Sequence, residues 1–188
     1  MYLVGKKLQS NMLPLGTVAP SFSLLDPRSN EFVSFSNESE GSGFLLGFIC
    51  NHCPYVIHLK DHFPFLFNSF LKKNIQVFLI SSNDPVKYPD DSPQKMAIEA
   101  DDLGLRFPYL FDANQEVAKS YQAACTPDFF LFNQNKELYY RGQYDCSRPG
   151  NNINVTGKDI SNATNRMLKG DNPPANQIPS IGCNIKWK

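Results

Sequence analysis

The chain has 188 residues, 41% of them hydrophobic, with 15 Phe and 8 Tyr, which is enough apolar bulk for one domain with a real core. Eighteen Lys and Arg balance eighteen Asp and Glu, and no basic run exceeds two residues. That balance points away from nucleic acid and from anionic lipid as partners.

Val18, Phe22 and Leu24, then Phe32, Val33 and Phe35, flank a turn-rich Asp26-Pro27-Arg28-Ser29-Asn30, the pattern of two short strands in a hairpin. Residues 44–49 form a near-continuous apolar run, as in a strand buried on both faces, and that run leads directly into Cys50. From Tyr55 to Lys72 apolar residues recur at helical spacing, with Pro64 expected to interrupt the helix. Ile75 to Ser81 reads as a second buried strand, followed by a proline-rich polar loop over 83–93 and a helix near 94–103. A short strand at 107–111 and a short helix at 115–121 come next. Phe129 to Phe132, a polar turn, and Glu137 to Arg141 read as a strand with its antiparallel return, and a helix near 158–168 follows.

That order predicts an α/β sandwich with a mixed central β-sheet flanked by helices. The chain is expected to form one domain over 1–188, with an N-terminal β-hairpin extension at 1–35 and an irregular tail at 170–188. The apolar run at 44–50 is far shorter than the ~20 residues of a membrane span, so no bilayer crossing is expected. Residues 1–20 lack the apolar block of a secretory signal, which gives a cytoplasmic location by default.

Five cysteines stand at 50, 53, 125, 146 and 183, one tight pair and three isolated residues, which is not a disulfide scaffold. In Cys50-Asn51-His52-Cys53-Pro54, a two-residue spacer at a helix start lets the sulfurs form a disulfide bond, with the first facing the helix's positive end. Only a thiolate attacks a disulfide, so an accessible, easily ionised Cys50 is the central expectation. A protonated His52 would stabilise that thiolate further. Half of a structural zinc site is the competing interpretation, but it needs a second close Cys or His pair, and Cys125, Cys146 and Cys183 each stand alone. No metal is therefore expected.

A buried strand ending in Cys50-x-x-Cys53, together with Cys125-Thr126-Pro127 before a hydrophobic strand, resembles the thioredoxin superfamily. The resemblance implies a cis Pro127 facing the dithiol and a Thr126 backbone that pairs with a bound substrate strand. More narrowly, the chain resembles the redoxin group related to alkyl hydroperoxide reductase and thiol-specific antioxidant proteins. The matching stretches are Ala19-Pro20-Ser21-Phe22, Cys50-Asn51-His52-Cys53-Pro54-Tyr55-Val56, Ser82-Asn83-Asp84, Thr126-Pro127-Asp128-Phe129-Phe130 and Gly182-Cys183-Asn184-Ile185-Lys186-Trp187-Lys188. Two positions depart from the relatives. Phe44 stands where thioredoxins bury an acid, which implies slow reduction or another base, and Cys50 stands where a peroxiredoxin has the Thr before its peroxidatic cysteine.

Cys125 is read either as an auxiliary thiol or as an inert buried one, and Cys183 either as part of a tail folded over the site or as structural. Asn83 and Asp84 follow a strand's carboxyl end, where α/β sites collect polar groups, or simply start a turn. His58 and His62 are read as a solvated helix face rather than metal ligands. The expected activity is thiol–disulfide exchange, in which Cys50 attacks and Cys53 resolves. A protein or small-molecule thiol or disulfide is the expected partner, and neither a metal nor an organic cofactor is needed. A peroxide-consuming antioxidant enzyme and a non-catalytic binding module of the same fold are the rivals.

Overall fold

The computed structural model describes residues 7–188. Its centre is β4 (Gly43–Phe48), every residue of which is buried, as the apolar run requires. On one side β4 pairs in parallel with β5 (Ile75–Ser81), and β5 in parallel with β6 (Tyr109–Phe111). On the other it pairs antiparallel with β8 (Asp128–Asn133), which returns as β9 (Leu138–Gly142). β2 (Phe22–Asp26) and β3 (Glu31–Phe35) form the expected hairpin. This extension joins the main sheet: Leu25 of β2 bridges to Phe111 of β6, and the hairpin closes one edge of a seven-stranded sheet ordered β3-β2-β6-β5-β4-β8-β9. Val18 makes only an isolated bridge to Glu137.

Alternation along the strands sends side chains into two cores. Leu45, Val77, Leu79, Phe129 and Leu131 face one layer, while Phe44, Leu46, Phe48, Phe78, Ile80, Phe130 and Phe132 face the other. The first layer is closed by α1 (Pro54–Leu59), α2 (Phe63–Leu71), α3 (Pro93–Asp102) and α5 (Lys158–Leu168), and the second holds Ala118 of the short α4 (Glu116–Ser120). At ~1.5–3 kcal/mol for each fully buried large side chain, these layers dominate the stability. The break expected at Pro64 falls just before it, as a single tight turn over Lys60–His62. Proline there lacks an N–H and would crowd the Lys60 carbonyl in a continuous helix.

A second sheet has no counterpart in the sequence reading. β1 (Lys7–Gln9), β10 (Ile181–Asn184) and β7 (Cys125–Thr126) form a three-stranded antiparallel ladder in the order β1-β10-β7. The tail expected to be irregular is so over 171–180 but then becomes β10. Gly182 makes the close approach possible, since a Cβ there would collide with the Thr126 carbonyl. Beyond β10 the chain is tied down by Lys186 N–H donating to Asn83 Oδ1 (2.8 Å) and Asp84 N–H donating to the Lys186 carbonyl (2.9 Å). Among the described residues, no helix is long and apolar enough to cross a membrane.

Candidate active site

β4 ends at Phe48, and the chain turns through Cys50 to Pro54, the first residue of α1. Cys53 is therefore the N-cap residue, and its carbonyl accepts from the N–H groups of Val56 and Ile57, both at 2.9 Å. All five cysteines are thiols in this structure. Cys50 and Cys53 meet at one residue. Cys50 Sγ lies 3.4 Å from Thr126 Oγ1, and Cys53 Sγ donates to the Thr126 carbonyl at 3.0 Å. The Thr126–Pro127 peptide is cis, as the resemblance implied.

The expected accessible thiolate at Cys50 is corrected on two counts. Cys50 is 1% exposed and Cys53 0%, because β10 lies along Thr126 and closes the site: Cys183 stands opposite Thr126 and Asn184 opposite Cys125. The edge of Thr126 that the resemblance reserves for a substrate strand is thus occupied by the chain's own tail. The easier ionisation, too, falls on the other sulfur. Burial, the hydrogen bond to Cys53 and the nearby Asp91 carboxylate push the Cys50 thiol well above its ordinary range. Hydrogen bonds from the Cys183 and Cys50 side chains outweigh burial at Cys53 and hold its thiol far below the ordinary range, with Thr126 and the Cys183 backbone N–H adding to the effect. The physical reason is local: the Cys183, Cys50 and Thr126 donors converge on Cys53 rather than on Cys50.

His52 Nδ1 lies 2.6 Å from Asp91 Oδ2 in an ion-pair contact whose angle does not make a hydrogen bond. The imidazole stacks on Tyr88, ring centroids 5.2 Å apart, and Lys186 of the tail sits over the same tyrosine. Asp91 is fully buried and accepts from Asn51 N–H and from Asn83 Nδ2, both at 2.8 Å. Asn83 thereby links Asp91 to Lys186, which gives it a place in the site, whereas Asp84 pairs with Lys87. Tyr109 donates to Asn51 Oδ1 at 3.0 Å, fixing the spacer between the cysteines. Cys50, His52 and Asp91 bring their potential ligand atoms within 4.8 Å of one another. Both Asp91 oxygens are, however, already engaged by Asn51, Asn83 and His52.

Sequence reasoning missed Asp91 and Tyr109. The signal available for Asp91 was only its loop's position after β5, where polar groups gather in α/β folds. Cys125 is completely buried, its thiol points at the Pro127 carbonyl (3.6 Å), and burial pushes its pKa strongly up. Asp128, also missed, is fully buried beside Cys125, and desolvation raises its carboxyl to about 7 although the Ala124 N–H donates to it at 3.3 Å. Cys146 is exposed and away from this cluster. His62, expected on a solvated face, is half-buried and hydrogen-bonded to the Tyr144 hydroxyl at 2.6 Å.

Residues 15–141 match the family described as AhpC/TSA. A crystal structure of an uncharacterized conserved protein from Geobacillus kaustophilus is 45% identical, covers 97% of each chain and superposes with a TM-score of 0.94. The thioredoxin domain of a thiol-disulfide oxidoreductase from Bacteroides vulgatus, 16% identical, superposes with a TM-score of 0.63 over 83% of this chain and 99% of that one, which establishes the thioredoxin-like fold. Among curated proteins, the thiol-disulfide oxidoreductase ResA of the same Geobacillus species is 23% identical over 132 residues, 69% of this chain and 70% of the relative.

Proposed function

The chain belongs to the AhpC/TSA family, and from that premise we propose that it is a thiol–disulfide oxidoreductase working through Cys50 and Cys53. The observation that carries the reading is the convergence of both sulfurs on Thr126, one on its hydroxyl and one on its carbonyl, at the head of α1. Of the two sulfurs Cys53 ionises the more readily, because its hydrogen bonds outweigh burial, while burial holds the Cys50 thiol up. Proton transfer along their hydrogen bond gives a Cys50 thiolate, which attacks a substrate disulfide and expels one substrate thiolate. That leaving group takes the proton from Cys53. The Cys53 thiolate then attacks the Cys50 sulfur, releasing the second substrate thiolate and leaving a Cys50–Cys53 disulfide. A cysteine that ionises easily suits this resolving step. His52, oriented by Asp91 and Tyr88, is the proposed positioning residue beside the first sulfur.

The substrate is a protein or a small-molecule disulfide, and it reaches the sulfurs when β10 yields the Thr126 edge. Reduction of insulin disulfides by the pre-reduced protein tests the reading. Loss of all turnover in Cys50→Ser and Cys53→Ser is expected, and full retention in Cys50→Ser overturns it. Thiol-peroxidase activity is a second reading, favoured by the lowered pKa of Cys53. Catalytic loss of hydrogen peroxide that depends on Cys53 but not on Cys50 distinguishes it.

A further inference from the structure

Resting on the dithiol reading, we propose that Cys183 is a third exchange cysteine, an internal partner that receives the disulfide from the Cys50–Cys53 pair and thereby fastens β10 across the site. Three observations place it there. β10 pairs with β7 so that Cys183 stands opposite Thr126, the residue on which both dithiol sulfurs converge. β10 also packs against α1, the helix that Cys53 caps, and Cys183 and Cys53 each shift the other's ionisation. Cys183 is 2% exposed within the same packed cluster as Cys50 and Cys53, so no solvent-borne thiol competes for the contact.

β10 occupies the position that a substrate strand takes in the proposed reaction, and it carries a cysteine at the point of closest approach. The exchange is balanced without an added oxidant. After a substrate disulfide has oxidised the pair, the Cys183 sulfur attacks the Cys53 sulfur, the Cys50–Cys53 bond breaks and a Cys53–Cys183 bond forms. The proton from Cys183 passes to the departing Cys50, and no net electrons are gained or lost. Charge governs the timing. In the reduced site the hydrogen bond to Cys53, burial and the Cys53 charge all push the Cys183 thiol up, while Lys186 pulls it down. Oxidation removes the Cys53 contribution while burial and Lys186 still act, so the Cys183 thiol is held up less strongly once there is a disulfide for it to attack. The product has a reduced Cys50 and a tail covalently tied to the head of α1.

The test is disulfide mapping by mass spectrometry on the full chain after oxidation with oxidised glutathione and acid trapping of free thiols. Wild type is expected to give the Cys50–Cys53 disulfide with a minor population linked between the peptides carrying Cys53 and Cys183. Cys50→Ser, which cannot form the first bond, is expected to convert most of its chains to the Cys53–Cys183 link. If wild type forms Cys50–Cys53 while the second link is absent from both proteins, the inference is overturned and the dithiol reading survives. If wild type forms no disulfide at Cys50, the dithiol reading itself fails. Should Cys50→Ser not fold, the linked population in wild type decides the question.

Discussion

In the seven-stranded sheet β4 is paired along both edges over its full six residues, and its side chains are buried in aromatic cores on both faces. In the three-stranded sheet β7 contributes two residues and β10 four, and the two ends of β10 are only half-buried. One is a scaffold paired and packed on both sides, the other a short strap held by a few ladder hydrogen bonds and the anchor at Asn83. The proposed dithiol lies at their seam: β4 and α1 deliver Cys50 and Cys53, and β7 and β10 close over them. Placing a reactive pair between a rigid element and a weak one allows burial in the resting state and exposure at modest cost.

The sharpest way to test that contrast is to remove comparable apolar bulk from each side. Leu131→Ala, in the first core layer, is expected to destabilise by ~2–5 kcal/mol, whereas Ile181→Ala in β10 should cost about 1 kcal/mol or less, both read by denaturant unfolding. A similar penalty for the two would erase the distinction between scaffold and strap.

Asp128 probes the seam itself. Its folded-state pKa of about 7 lies above the ordinary 3.8, so the folded form binds the proton more tightly than the unfolded chain. The stability contributed by the protonated carboxyl is fully present below pH ~4 and is lost as pH rises through ~7. Asp128→Asn is therefore expected to be the more stable protein at pH 8 by roughly 2–4 kcal/mol, with the gap closing near pH 4. Parallel stability profiles for the two proteins would show that this carboxyl is not desolvated as the structure has it.

A smaller effect is expected from Gly182→Val, which sets a side chain against the Thr126 carbonyl. Its cost to global stability should be about 1–3 kcal/mol. The informative readout is local: β10 amides should lose hydrogen-exchange protection, and alkylation of Cys53 should accelerate at least ~tenfold as its thiolate is uncovered. Unchanged alkylation would mean that β10 is not what closes the site.

Much of the scaffold was legible because its elements announce themselves locally. The apolar runs at 44–49, 75–81 and 129–132 are strands because only a two-sided core accepts such segments, and Pro64 marks the helix break through its own covalent geometry. The Cys50-x-x-Cys53 spacing and the Thr126-Pro127 step were likewise written in adjacent residues. The ionisation order within the pair was not. It depends on donors brought to Cys53 from positions 126 and 183. Asp91 was invisible for a similar reason, since its loop shows no periodicity and its partners Asn51, His52 and Asn83 lie 8 to 40 positions away.

By itself, the sequence determined the alternation of buried strands and amphipathic helices, the α/β layering and the location of the paired thiols, all of which follow from side-chain periodicity and near-neighbour chemistry. Only the tertiary structure decided that residues 7–9, 125–126 and 181–184 make a sheet, that this sheet buries the dithiol, and that Cys183 stands opposite Thr126. Those strands are too short to carry a hydrophobic pattern, and their order comes from backbone pairing between segments more than fifty residues apart. Such pairing is set by where the larger cores place the chain, not by the residues of the strands themselves.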